Sequence, residues 1–250
     1  MRRKQNRLSK KELADSRREA IIEKWVPKTE VGKKVKAGEI KDIDIILSSG
    51  KRILESEIVD FLLPNLEYDL ITIGQSKGKF GGGKRSIWKQ TQKKTKEGNK
   101  PKFATVAVIG NRDGYVGLGH GKAKETVPAR EKAIRNAKLN IMKIRRGCGS
   151  WACGCSEPHS IPLKIKGKCS SVQVELIPAP KGTNLTTQKE IQKILKLAGV
   201  KDVYSKTKGQ TGVELNLVKA LIKALKNLNS MKLNEEFIKK SGLREGKINE

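Results

Sequence analysis

Gly110-Asn111-Arg112-Asp113-Gly114-Tyr115-Val116-Gly117-Leu118-Gly119-His120-Gly121-Lys122-Ala123-Lys124-Glu125 decides how the middle of this chain folds. Asn111 to Gly114 carries strong turn chemistry, because Asn and Asp bond their own backbone and glycine accepts positive φ. Before it, Phe103 to Ile109 alternates as a buried strand, and Tyr115 to Gly119 is predicted to pair back as a hairpin. Gly117, Gly119 and Gly121 then lead into a helix predicted over 126–144, with Ala129, Ala133, Ala137, Ile141 and Ile144 on one stripe and Pro128 in the first turn. Glycines permit close approach to the backbone, and a helix N-terminus beside Lys122 and Lys124 favours an anion, so phosphate is the expected ligand. Nucleotide-loop templates fail. Ala123 stands where a P-loop needs Ser or Thr, and the third glycine comes one residue early for a dinucleotide loop.

Upstream, a strand is expected at Leu70 to Gly74, and residues 77–102 then hold ten basic side chains against the single acid Glu97. Mutual repulsion and the glycines at 81–83 oppose independent order, so this stretch reads as a loop that orders on RNA. Further out, Ile43, Ile46, Leu47 and then Ile53, Leu54, Ile58, Val59, Leu62 predict two short helices broken at Ser48-Ser49-Gly50. Residues 1–35 read as a basic arm, with a helix over 10–24 opened by the Ser9/Glu12 capping box.

Downstream, Ile161, Leu163, Ile165 and Val172, Val174, Leu176 alternate about a turn at Gly167-Lys168 and predict an antiparallel hairpin. A Thr-capped helix follows over 187–198, ended by Gly199, then a short strand at Val203-Tyr204 and a helix over 213–228. The expected class is α+β. A basic arm and helical extension (1–65) precedes a three-strand-plus-helix domain resembling the double-stranded RNA-binding fold (66–144). A Cys-containing linker (145–159), a two-layer α/β domain (160–230) and a polar tail (231–250) complete the chain.

Composition narrows function. Lys and Arg number 54 against 26 Asp and Glu, a formal charge of +28, far more than solubility requires, so the expected partner is a polyanion. No run of about 18 apolar residues exists to span a membrane, and Met1-Arg2-Arg3-Lys4 has no apolar stretch behind it to make a signal peptide. A cytosolic protein with no membrane partner is expected. Aromatics make up only 4% of the residues, which suits recognition of RNA backbone shape better than base stacking. Trp25, Trp88 and Trp151 each offer a stacking surface or a packing anchor, and Trp88, inside the basic stretch, is assigned to RNA. The acids are scattered among lysines and form no acid-base set, so no enzyme is expected.

Four stretches in order carry a family resemblance: 110–125, quoted above; Arg145-Arg146-Gly147; Pro158-His159-Ser160-Ile161-Pro162; and Leu176-Ile177-Pro178-Ala179-Pro180-Lys181-Gly182-Thr183. Together they resemble the successive signatures of the small-subunit ribosomal protein S-five family over residues 28–230, and the cysteine segment points to its archaeal branch. The resemblance implies a structural constituent of the small ribosomal subunit that binds ribosomal RNA near the messenger RNA entry and decoding region. It also implies neighbours of the S-four and S-eight families and support of subunit assembly and translational accuracy. A free double-stranded-RNA-binding regulator or RNA chaperone explains the charge equally well. The basic stretch is longer than the family leads one to expect, and Lys181 and Asn184 stand in place of the expected arginine and glycine.

The residues assigned to RNA are Lys77, Lys79, Lys84, Arg85, Trp88, Lys89, Arg112, His120, Lys122, Lys124, Arg145 and Arg146. All four cysteines lie between 148 and 169, and Cys148, Cys153, Cys155 and His159 have the spacing of a compact zinc set, with Cys169 as a substitute ligand. Free thiols are the other reading, and disulfides the least expected in a cytosolic chain. No cofactor is required by the expected function, with zinc the one candidate.

Overall fold

The computed structural model describes residues 23–76, 78, 83 and 85–246. Two compact units are present, Met1–Pro64 and Asn65–Glu250. The helix expected over 10–24 falls almost wholly outside the described residues.

In the first unit, α1 (Glu30–Lys36), α2 (Ile43–Ser48) and α3 (Ser56–Leu62) are short, and the predicted break falls at Ser49-Gly50, where Gly50 has a φ of 69°. Thr29 caps α1 by accepting the Gly32 N–H at 3.1 Å. Val35, Ile43, Ile46, Ile53, Ile58 and Val59 are buried. Trp25 is a packing anchor here: it is buried, and its indole N–H donates to Glu55 at 2.7 Å. Glu55 also accepts the Lys28 and Thr29 N–H groups. Burial pushes its carboxyl up, but hydrogen bonds from Thr29, Trp25 and Lys28 outweigh that and hold it below its ordinary range. A depressed carboxyl contributes stability above the unfolded pKa of 4.5 and loses it as pH falls through the folded value. Glu55→Gln is therefore expected to cost roughly 1 kcal/mol near neutrality. The gap in urea midpoint between the two chains should close on acidification below the folded pKa.

The second unit holds two sheets. The first, β1 (Glu67–Ile71), β3 (Gly98–Gly110), β4 (Tyr115–Ala123) and β5 (Ile141–Lys143), is antiparallel in that order, and β2 (Lys89–Thr95) also pairs with β3. The basic stretch is thus not a loop throughout. Residues 89–95 pair in full register with 98–104, and Gly98, at a φ of 112°, closes the turn. Long Lys, Gln and Thr side chains stand apart on alternate faces of an exposed hairpin, which eases their repulsion.

α4 (Thr126–Leu139) lies on one face of this sheet, and it is shorter than predicted. Asn140 ends it, and the β-branched Ile141 opens β5, so Ile141 and Ile144 leave the helical stripe. The glycine stretch is corrected as well. It is not a turn before the helix but the strand β4 itself. A Cβ on Gly117 would overlap the Ala137 carbonyl oxygen, one on Gly119 the backbone of Ala133 and Ala137, and one on Gly121 that of Ala129 and Ala133. Two strand residues advance about 6.6 Å and four helical residues about 6.0 Å, so glycine at every second position stays in step with alanine at every fourth. Helix and sheet therefore meet backbone to backbone.

The second sheet follows the order β7 (Ile165–Cys169), β8 (Val172–Pro178), β10 (Val203–Lys208), β9 (Leu185–Thr186). Its hairpin turns at Ser170-Ser171, where Ser170 takes a φ of 55°, and not at Gly167-Lys168. Gly167 instead sits inside β7 beneath Ala220 and Ala224 of α6 (Glu214–Ser230), repeating the glycine-under-alanine device. α5 (Lys189–Ala198) starts at Gln188 without a side-chain cap, so Thr187 is not the cap, and it ends at the left-handed Gly199 as predicted. Ile194, Leu195 and Leu197 of α5 share one apolar core with Ile71, Val106, Val108 and Val116 of the first sheet, with Val174 and Leu176 of the second, and with Leu221 and Leu225 of α6. The expected polar tail folds back: α7 (Glu235–Ser241) leads to β11 (Arg244–Glu245), which pairs with β6 (Arg145–Arg146).

Candidate nucleic-acid interface and metal centre

Strand register assembles the cationic site. Lys89 lies opposite Ala104, and Ala104 opposite Lys122, so all three stand in one row on the face away from α4. The next rows add Thr91 with Lys102 and Lys93 with Lys100, and on the other side Val106 pairs with His120. The face is graded along β3. Val106 and Val108 are fully buried, whereas Lys100, Lys102 and Lys122 are exposed. Lys124, also exposed, follows β4 directly. Burial and then the nearby charges of Lys219 and Lys122 hold the His120 imidazole below its ordinary pKa, so it stands neutral among cations. Among the described residues, only Lys100 in this group has a close acid, Glu97 at 2.7 Å.

The other predicted RNA residues are placed differently. Lys77, Lys79 and Lys84 lie outside the described residues. Trp88 is half-buried next to β2. The four arginines have partners inside the protein. Arg85 bonds the Gly212 carbonyl and Glu214, and Arg112 bonds Glu67. Arg145 bonds Glu245 and the Leu228 and Met231 carbonyls, while Arg146 is buried and bonds Asp113 and the Gly246 carbonyl. Their positive charge is largely matched at short range, unlike that of the sheet lysines.

Sequence reading missed a second basic surface. On the outer face of the second sheet, Lys166 and Lys206 flank Glu175 across three strands, and Lys168 and Lys208 flank Gln173 in the next row. A shallow groove runs between them. Hydrogen bonding to Lys164 and the charge of Lys166 keep Glu175 ionised, below its ordinary range. The alternation of 164–168 with 204–208 carried the signal, but pairing through β8 could not be read without the fold. Lys219 is likewise invisible in sequence as a neighbour of His120.

The metal-ligating set does come together. Cys148, Cys153, Cys155 and His159 place one donor atom each within 4.8 Å of all the others, and Cys153 Sγ lies 3.8 Å from His159 Nε2. Cys169, at the end of β7, is not part of it. His159 is buried and its Nδ1 lies 2.9 Å from buried Asp202, whose carboxylate accepts the Nδ1–H hydrogen bond and leaves the Nε2 lone pair aimed at the thiols. Burial drives the Cys148 thiol up to about 11, whereas backbone hydrogen bonds at Lys181 and Cys155 bring Cys153 down to about 6. Three sulfurs and an imidazole with its orienting carboxylate fit zinc, whose tetrahedral thiolate sites have sulfur separations on the order of 3.8 Å.

Two sequence families match this chain: that described as ribosomal protein S5, N-terminal domain, over residues 87–145, and ribosomal protein S5, C-terminal domain, over residues 167–240. The small ribosomal subunit protein uS5 of Nanoarchaeum equitans is 49% identical over 227 residues, covering 91% of this chain and 97% of that protein. Its counterpart in Methanocaldococcus jannaschii is 46% identical over 227 residues, 91% of this chain and 98% of that protein. That of Methanosphaera stadtmanae is 46% identical over 222 residues, covering 89% and 91%. Among the described residues no helix is long and apolar enough to cross a membrane.

Proposed function

Because this chain belongs to the ribosomal protein S5 family, it is a structural, non-enzymatic constituent of the small ribosomal subunit, and we propose that it holds ribosomal RNA on the cationic end of its first sheet. Lys89 and Lys122, set on either side of Ala104, and their lysine neighbours carry this reading, because they are exposed, share one face and are largely unmatched by acids among the described residues. Lys89, His120, Lys122 and Lys124 contact phosphates and 2′-hydroxyls, joined by Lys93, Lys102 and Lys219, with Trp88 at the margin. Lys77, Lys79 and Lys84 add charge from the same stretch of chain. Arg85, Arg112, Arg145 and Arg146 join them at RNA only where a phosphate displaces or shares their present partners.

The first sheet with α4 acts as a double-stranded-RNA-binding-like domain over 66–144, followed by the linker 145–159 and an α/β domain over 160–230. The finger-like β2–β3 hairpin and the four-strand layer with a helix across it support that division. Neighbours of the S-four and S-eight families and a position near the messenger RNA entry and decoding region complete the placement, through which the protein supports assembly and accuracy. Cys148, Cys153, Cys155 and His159 hold zinc, which supplies a redox-inert tetrahedral cross-link among four side chains. Cosedimentation of the full chain with small subunits after a high-salt wash tests the placement. Retention in the subunit fraction is the expected result, and quantitative release as an RNA-free protein contradicts it.

A further inference from the structure

Resting on the zinc reading above, we infer that the metal-bound loop 148–159 is the fastener that holds segment 235–246 on the body of the protein. Two facts make that segment dependent. α7 has seven residues, far short of what an isolated helix needs, and Ser241 is its one buried residue. Its order must therefore come from what it docks on.

Its helical part docks on the ligand loop. The Cys148 N–H donates to the Ser241 carbonyl at 2.7 Å, and the Ser156 hydroxyl to the Lys240 carbonyl at 2.8 Å. Gly242, at a φ of 57°, sits so close that a Cβ there would overlap the Ser156 carbonyl oxygen. Cys148 is itself a ligand and Ser156 adjoins another, so each of these three contacts lies on or beside the metal set. From Gly242 the chain continues into β11, and Gly246 then packs on the Gly114 turn and accepts Arg146.

Beyond the Glu157–Lys181 ion pair and the approach of Gly149 to Pro162, the loop has little to hold it. Trp151 is fully exposed, Ala152 and Gly154 are exposed, and between 149 and 158 no residue is buried. Apolar packing cannot fix its shape, and four donor atoms converging on one ion can. Zinc therefore orders the loop, and the ordered loop presents the two donors and the Ser156 backbone that receive the segment.

The test is hydrogen exchange of the full chain with zinc bound and after stripping by a chelator, with zinc counted on the same samples. One zinc per chain is expected, and on stripping, amides of 235–246 should exchange about tenfold faster or more while those of β4 and α6 hold. Thermodynamic reciprocity supplies a second readout that spares every ligand. Gly242→Val, which forces the segment off, should weaken retention of zinc against a competing chelator by the same factor. Absence of bound zinc sinks the metal assignment itself. Bound zinc whose removal leaves exchange in 235–246 unchanged, or a Gly242→Val chain that keeps its zinc affinity, overturns the fastener and leaves the metal assignment standing.

Discussion

Replacing Gly119 by valine is expected to lower the stability of the chain by at least about 3 kcal/mol, a fall in melting temperature on the order of 10 °C. The new side chain would have to occupy space held by the Ala133 carbonyl oxygen and the Ala137 amide, both backbone atoms of α4. Neither can rotate away. Relief requires the helix to lift from the sheet, which opens gaps along Gly117 and Gly121 and strips packing from Ala129, Ala133 and Ala137, all fully buried. Trimming Ala133 to glycine should not rescue the variant, because the obstruction is the carbonyl and not the methyl. Gly154→Ala is the control. Its Cβ meets nothing within 4 Å, so thermal unfolding should stay within about 0.5 kcal/mol of the parent. A mild effect of Gly119→Val, comparable to the control, would contradict the backbone contact between helix and sheet.

The second large effect concerns RNA. Changing Lys89, Lys102, Lys122 and Lys124 together to glutamine should reduce the magnitude of the log-log salt slope for binding a small-subunit RNA fragment by about 3, at roughly 0.7 to 0.9 per phosphate contact. Affinity at moderate salt should fall by several orders of magnitude, since each lysine is exposed and, among the described residues, has no acid partner that would otherwise hold its charge. Arg112→Gln offers the contrast, because its guanidinium already bonds Glu67 at 2.7 Å and should change the slope little. Filter binding across a salt series reads both. An unchanged slope in the quadruple variant would remove the first sheet as the RNA surface.

Much of this was readable from residues alone, for reasons that are physical. The Asn111-Arg112-Asp113-Gly114 turn announced the β3–β4 hairpin because the Asn111 side chain does bond the Asp113 and Tyr115 amides. The alanine stripe of α4 and the leucines of α6 marked buried faces, and the cysteines with His159 met as their spacing suggested. The glycines misled, because glycine beside lysine has two uses, admitting a phosphate or admitting a helix. Only the match between a two-residue and a four-residue period separates them. The β2–β3 pairing escaped because a strand with both faces in water lacks the apolar alternation that announces a sheet. The return of 235–246 depends on carbonyls meeting donors more than eighty residues away, which no local pattern encodes.

β3 begins in water at Gly98 and ends in the core at Gly110, and its buried half dictates where its wet half stands. The lysines along it are thereby set at a fixed pitch, successive same-face residues about 6.6 Å apart, like teeth on a comb whose spine is anchored elsewhere. The entropy of aligning that backbone is settled when the protein folds, before any nucleic acid arrives. A polymer brush of the same charge would face that loss on contact. The comb meets its target already combed.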